Sequence, residues 1–280
     1  MRLYKIKNLK EYRSFLLKTR EQRAEHQEFL EKYTPENHQH FCISGYSYTA
    51  EKQVYFNVDF ADSGAERLVN WRESVSCPET YFNNRMRATF HLFDLFMNPY
   101  PDKEIYISEQ LTPIYDYFLK RFPNTIGSEF IGDSIPLGSV NENNIRNEDM
   151  RALSFEDNKF DAIVSLDVFE HIPLYKQAFR ECVRVLKPGG SMMWSVPFLA
   201  FRNKTLIRAK IINGEIKHFY PPEYHGDPLS SKGVLCFQYF AWDMMEDMKK
   251  AGFNEAYAIN YQSTEFGYLG HNQFMFIATK

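Results

Sequence analysis

Residues 147–199, NEDMRALSFEDNKFDAIVSLDVFEHIPLYKQAFRECVRVLKPGGSMMWSVPFL, restrict the possible folds more than any other stretch of the chain. Phe160–Leu166 is a short apolar run closed by Asp167, of a length that suits a strand buried on both faces. Tyr175, Ala178, Phe179, Cys182, Val183 and Leu186 then recur at helical spacing. Lys187-Pro188-Gly189-Gly190 predicts the stop: a cation in the last turn, a Pro that cannot continue it, and Gly free to take positive φ. Residues 191–197 (SMMWSVP) form the next buried run. A crossover this long, with a helix inside it, implies two parallel strands of one sheet. Such a sheet binds its ligands beyond the carboxyl ends of its strands. Asp167, Glu170 and His171 follow the first strand, Pro197 and Phe198 end the second, and Glu148-Asp149-Met150 end another candidate strand. A polar pair after one strand end and an acid after the next is a nucleotide-edge arrangement.

Asp149-Met150, Leu153-Ser154-Phe155, Asp157, Phe160-Asp161, Ile163 and Val168-Phe169-Glu170-His171-Ile172, with the later Val185-Leu186-Lys187-Pro188-Gly189-Gly190, resemble the small-molecule branch of the class I S-adenosylmethionine-dependent methyltransferases. The resemblance implies an α/β fold: a doubly wound, mostly parallel seven-stranded sheet, Rossmann-like, with an N-terminal helical and β-hairpin appendage. It implies S-adenosyl-L-methionine as cofactor, with the Asp149 carboxylate accepting from the adenine amine beside Met150, and Asp167 and Val168 also at the cofactor.

Residues 104–108 (EIYIS) read as the first strand of that sheet. Methyltransferases of this class follow it with a glycine-rich turn. This chain has Glu109-Gln110-Leu111-Thr112-Pro113. Glu109, Gln110 and Thr112 would then supply the polar contacts that bare backbone normally makes. Thr112-Pro113 also opens a helix over 114–122, a cap residue ahead of Pro. Residues 125–130 (TIGSEF) are the second strand. Glu129 falls about twenty residues past the first turn, where a doubly wound sheet places the acid that grips a ribose diol. A surface Glu is the plainer reading. Residues 132–144, rich in Gly, Pro and Asn, read as a loop and a candidate lid.

The insertion at about 200–238 follows the fifth core strand. Asn213-Gly214 marks a hairpin turn within it. Pro221-Pro222-Glu223-Tyr224-His225-Gly226-Asp227-Pro228 reads as a polar loop with rigid ends. His225, with Asp227 and Glu223 near it in sequence, is the candidate general base on a hydroxyl, and His171 the second candidate. The alternative for His225 is a loop-fixing imidazole bonded to backbone, and for His171 a bond to backbone at the strand end. Glu223 and Tyr224 are candidate acceptor contacts. A helix over 240–251 follows, its methionines filling core. Strands at 256–260 and 273–279 are expected as an antiparallel pair on the sheet edge.

Residues 1–98 are a separate prelude ahead of a core at 99–280. Residues 9–33 lack Pro and Gly and predict one solvated helix, with His26 exposed. Beyond it the chain resembles a subset of these methyltransferases, met beside glycosyltransferases in polysaccharide loci, that carries a zinc-ribbon-like prelude. Cys42, Gly45, Asn70-Trp71-Arg72-Glu73, Cys77-Pro78, Asn84, Arg85 and Arg87 keep its pattern. Ser44 and Thr80 stand where the second cysteine of each pair belongs. Structural zinc needs four ligands, so no metal is expected here. Arg72, Arg85 and Arg87, with Trp71, are candidate contacts to an anionic substrate; the alternative is that they tie the prelude down through ion pairs.

A net charge of −3 gives no case for nucleic-acid binding, and no apolar run suits a membrane span. The charged start lacks a signal core, so a cytoplasmic location is expected, with scattered free cysteines. The expected activity is O-methylation of a small-molecule acceptor, a sugar or nucleotide-sugar, by a possible homodimer. The glycine-free turn leaves a non-catalytic interaction module as the alternative.

Overall fold

The computed structural model describes residues 1–61 and 68–280. Its centre is a seven-stranded, mostly parallel, Rossmann-like sheet. In space the strands run Arg2–Ile6, Glu255–Gln262, Phe274–Thr279, Leu186–Ser195, Phe160–Leu166, Ile105–Ile107 and Thr125–Gly127. The last four are parallel: Ile105 lies opposite both Thr125 and Ala162, and Ala162 opposite Ser191. Phe274–Thr279 runs antiparallel beside Leu186–Ser195. The central strands are buried on both faces, which is why they read as unbroken apolar runs.

The sheet reaches seven strands with a different membership from the one expected. Residues 148–150 end no strand; on the side of Thr125–Gly127 away from Ile105–Ile107, the described residues make a parallel bridge between Glu129 and Asn147 in its place. The seventh strand is Arg2–Ile6, antiparallel to Glu255–Gln262, so the C-terminal strands are not the edge. Helix Tyr175–Val185 ends before Leu186, and Leu186 already pairs with Phe160. Lys187–Gly190 thus follows the helix stop as an irregular stretch of the next strand, Gly189 at φ 79° as expected, and regular pairing resumes at Ser191 opposite Ala162.

The chain divides into two compact units. The first comprises Met1–Ile6, Lys10–Pro99 and Ala258–Met275. Its N-terminal helix is broken in two, Leu9–Lys18 and Arg20–Tyr33, at Thr19, whose hydroxyl bonds back to the Phe15 carbonyl at 2.8 Å. His26 is buried and not solvated: its Nε2 accepts the Gly270 N–H at 3.2 Å, and burial lowers it to about 4. A small sheet of Phe41–Ser47, Lys52–Val58 and Val75–Ser76 closes over Leu30, Ile43, Phe56, Val75 and Leu269.

The second unit comprises Lys7–Leu9, Tyr100–Tyr257 and Phe276–Lys280. Asn213 and Gly214, at φ 52° and 82°, make the predicted turn between Ala209–Ile212 and Glu215–His218. The expected polar loop is instead a second hairpin, Tyr224–Asp227 against Ser230–Leu235, with a register shift between His225 and Asp227. Among the described residues no helix is long and apolar enough to cross a membrane.

Candidate active site

The carboxyl ends of the parallel strands carry Glu109, Gln110, Thr112, Glu129, Asp167, Val168 and His171 of the residues singled out above. The glycine-free turn is held by its own side chains. The buried Glu109 carboxylate accepts the Leu166 N–H at 3.0 Å, which ties the turn to the end of the Phe160–Leu166 strand. The Gln110 amide accepts the Arg146 N–H at 2.9 Å and donates to the Asn144 carbonyl at 2.8 Å. The Thr112 hydroxyl donates to the Glu109 carbonyl at 3.0 Å, and Pro113 opens helix Pro113–Arg121. The buried Asn147 amide bonds Ile131, Gly132 and Ile135, so the loop read as a lid is pinned along its length.

Glu129 is half-buried at the tip of its strand. One oxygen accepts the Leu111 N–H at 2.8 Å. Burial, reinforced by the charge of Asp227, raises its carboxyl to about 7 against the pull of that bond. Asp149 is engaged by Arg151, which donates to its two oxygens in four contacts, from Nε to both, from Nη2 and from its backbone N–H. Those contacts use three N–H groups, the Nε–H being shared, on a carboxylate with about four acceptor sites, so the contact to an adenine amine expected of Asp149 competes with the Arg151 pairing. Met150 is buried, its sulfur accepting from the Tyr106 hydroxyl at 3.4 Å. The residues present thus fit the ribose end of a nucleoside through Glu129, and offer the Asp149 side chain to an adenine only in competition with Arg151. Arg151 was not legible as the partner of Asp149, although its spacing of two is the only signal needed.

Asp167, at φ 56°, accepts from the Ser195 hydroxyl at 2.9 Å, joining the ends of the two central strands. Val168 caps a short 3-10 turn, Phe169–His171, that brings Glu170 and His171 together with His225. Gln238 pins this turn by donating to the carbonyls of Phe169 and Ile172 at 2.6 and 3.0 Å. The turn directs Glu170 inward, where it is 0% exposed. His171 Nε2 and His225 Nδ1 lie 3.6 and 3.5 Å from Glu170 Oε1. The two imidazoles meet edge to face at 4.9 Å. His171 Nδ1 is 2.9 Å from the Leu235 carbonyl, and His225 Nε2 is 3.2 Å from Glu223 Oε1. Glu223 is itself held by the Tyr239 hydroxyl and by Arg208 at 3.0 Å.

Hydrogen bonding to Cys236 and Glu170, and then to Glu223, raises His225 to about 10 against its own burial. As a lone general base it is already protonated at neutral pH. Burial lowers His171 and raises Glu170. Asp227 caps its own turn through Leu229 N–H at 2.8 Å, and its charge is felt by both Glu129 and His171. Tyr224 is exposed on the same hairpin. The sequence places Glu170 at the strand end without giving it a role, and offers no sign of Arg208, Cys236, Gln238 and Tyr239 as site residues. For Glu170 the signal was the apolar pair before it, Val168-Phe169; for the others only the hairpin register brings them near His225.

The remaining candidates belong to the first unit. Arg87 is completely buried, and its guanidinium donates to the carbonyls of Phe266, Gly267 and Val75 at 2.7, 3.1 and 3.3 Å over the Phe56 ring. It has no surface to offer a substrate, which corrects that expectation. Arg85 and Arg72 both pair with Glu73, and Trp71 packs against the small sheet's core. The tying role is the one these contacts display.

Residues 120–194 match a family model described as a methyltransferase domain. The matched segment holds Glu129, Asp149, Met150, Asp167, Glu170 and His171, and leaves out both the glycine-free turn and the His225 hairpin. Among solved structures, the chain is similar to YcgJ of Bacillus subtilis at 17% identity, over 39% of this chain and 51% of that one, with a TM-score of 0.31. It is also similar to phosphoethanolamine N-methyltransferase 2 of Haemonchus contortus, in complex with phosphomonomethylethanolamine and S-adenosylhomocysteine. There the identity is 16%, over 70% of this chain and 53% of that one, with a TM-score of 0.39. The chain thus spans about half the length of each, and neither likeness bears on activity. No curated protein matches the chain.

Proposed function

We propose that the protein methylates a hydroxyl of a small polar acceptor, a sugar or nucleotide-sugar in class, from S-adenosylmethionine. The observation that carries this reading is the cluster of His171 and His225 over buried Glu170, at the end of a central parallel strand, with Asp227 acting on both it and Glu129. The cofactor, when bound, supplies an electrophilic methyl. Glu129 grips its ribose with the oxygen that Leu111 leaves open. The hydroxyl proton leaves to the cluster and then to water. In-line placement and exclusion of water provide most of the acceleration. The cluster handles the proton as a unit, since His225 by itself already holds one.

The test is calorimetric titration with S-adenosylhomocysteine, followed by labelled-methyl transfer to a panel of nucleotide-sugars. Binding in the micromolar range that is weakened at least tenfold by Glu129→Ala supports the enzyme. The engaged side chains of Gln110 and Asp149 favour a second reading, a methyltransferase fold used as an interaction module. No binding at millimolar ligand would establish that reading instead.

A further inference from the structure

We propose that Glu170, His171 and His225 bind one divalent first-row transition-metal ion, with coordination positions left open for oxygens of the acceptor.

The first argument is the state of Glu170. It is fully buried, and neither carboxylate oxygen has a hydrogen-bond partner of good geometry. A buried carboxylate is among the costliest groups a fold can hold; here, among the described residues, its only nearby positive partners are the imidazoles at 3.5 and 3.6 Å, and a metal ion held between the three would replace that loose pairing with direct bonds. The second argument is convergence. One ligand atom from each of the three residues lies within 4.8 Å of the others. Ligand atoms about 2.1 Å from a tetrahedral ion stand about 3.4 Å apart. The distances from Glu170 Oε1 to His171 Nε2 and His225 Nδ1, 3.6 and 3.5 Å, are close to that spacing.

The third argument is the outer ring of contacts. A metal-bound imidazole directs its other nitrogen to a carbonyl or carboxylate, which fixes the tautomer. His171 does so with its Nδ1 toward the Leu235 carbonyl, and His225 with its Nε2 toward Glu223. That leaves His171 Nε2 and His225 Nδ1, the two nitrogens facing Glu170. The supports are rigid: Gln238 holds the turn of Glu170 and His171, and Arg208 and Tyr239 hold Glu223. Two imidazoles and a carboxylate select a first-row ion over magnesium or calcium. Three protein ligands are the count of an open site, not a structural one.

Metal binding stands on this geometry alone. Its use, holding a hydroxyl oxygen where the methyl arrives, rests on the methyltransferase reading. The test uses the full chain, stripped with chelator and titrated with Co²⁺, read by visible absorption and competed with Zn²⁺. We expect one ion per chain, and binding at least a hundredfold weaker in Glu170→Gln and in His225→Gln, each checked for a native melting transition. S-adenosylhomocysteine affinity should change less than threefold in these variants. Absence of a cobalt spectrum, or equal affinity in wild type and both variants, means an ion pair only and overturns the proposal. If cobalt binds as expected but no acceptor is methylated, the metal site stands and the methyltransferase reading alone fails.

Discussion

Glu129→Gln should make the protein more stable and a poorer nucleoside binder at once. Glu129 sits half-buried with its carboxyl raised from 4.5 to about 7, burial being the largest cause and Asp227 a further one. A raised acid favours its protonated form in the fold. The ionised group therefore costs nothing below the unfolded value and its full amount above the folded one. That rise corresponds to about 3 kcal/mol at pH 8 and about half as much at pH 5.5, at roughly 1.4 kcal/mol per tenfold. Gln keeps the oxygen that accepts from Leu111 and removes the charge. Urea denaturation at the two pH values should show the variant's advantage growing by about 1–2 kcal/mol as pH rises. Binding should move the other way. A ribose diol donates to the anion, so affinity for S-adenosylhomocysteine in wild type should rise close to tenfold from pH 6 to pH 8, and this rise should vanish in the variant. A variant with unchanged stability and an unchanged pH profile of binding would refute the placement of Glu129 at the nucleoside.

Arg87→Met should cost about 3–5 kcal/mol in chemical denaturation, because three buried carbonyls lose their donor; a variant of native stability with a raised KM for acceptor would restore the substrate role. His26 is held neutral by burial down to about 4. Its contribution, about 3 kcal/mol, should be complete above pH 6.5 and lost as pH falls toward 4, and His26→Gln should flatten that acid limb of a stability–pH profile. Asp149→Asn should leave S-adenosylhomocysteine affinity within threefold while costing about 1–2 kcal/mol of stability through the weakened Arg151 pair; a tenfold loss of affinity at native stability would show that the carboxylate does reach the adenine.

The sequence revealed what is encoded in continuous patterns. Phe160–Leu166 and Tyr175–Val185 announce themselves because a doubly buried strand must be apolar throughout and its helix apolar along one stripe. Arg2–Ile6 does not, since a five-residue edge strand with two charges has no face that must be apolar. The third strand failed for a different reason. It shrinks to a single bridge, in which the Glu129 N–H donates to the Arg146 carbonyl at 2.9 Å and the Glu148 N–H to the Glu129 carbonyl at 3.0 Å, too short a pairing to show as an apolar run. His26 lies in a polar sequence and is buried only by residues more than two hundred positions away. In the site, the Asp167–His171 segment was legible and the role of Glu170 was not, because a 3-10 turn reverses which side chain faces inward. Two prolines before His225 suggested a loop where cross-strand pairing makes a hairpin.

The glycine-free turn shows how one physical need can be met in another place. A turn at the end of the first strand needs bare backbone because something must pass close to it. Here the close approach is made on the neighbouring strand. A side chain at Gly127 would come within 2.6 Å of the Tyr115 ring and 3.0 Å of the Gln110 side chain. The absent Cβ at Gly127 is what lets residues 109–115 settle against Thr125–Gly127. Once settled, the turn uses side-chain bonds in place of backbone ones: Glu109 to Leu166, Gln110 to Arg146 and Asn144, Glu129 to Leu111. Those bonds fix the turn firmly, and they also commit donors and acceptors that a glycine turn would leave for a ligand. Glu129 alone in this group keeps an oxygen in hand while carrying the cost of desolvation. That combination is expected of a group kept for binding and not for stability, and it is why the nucleoside reading depends more on this one carboxylate than on the rest of the turn.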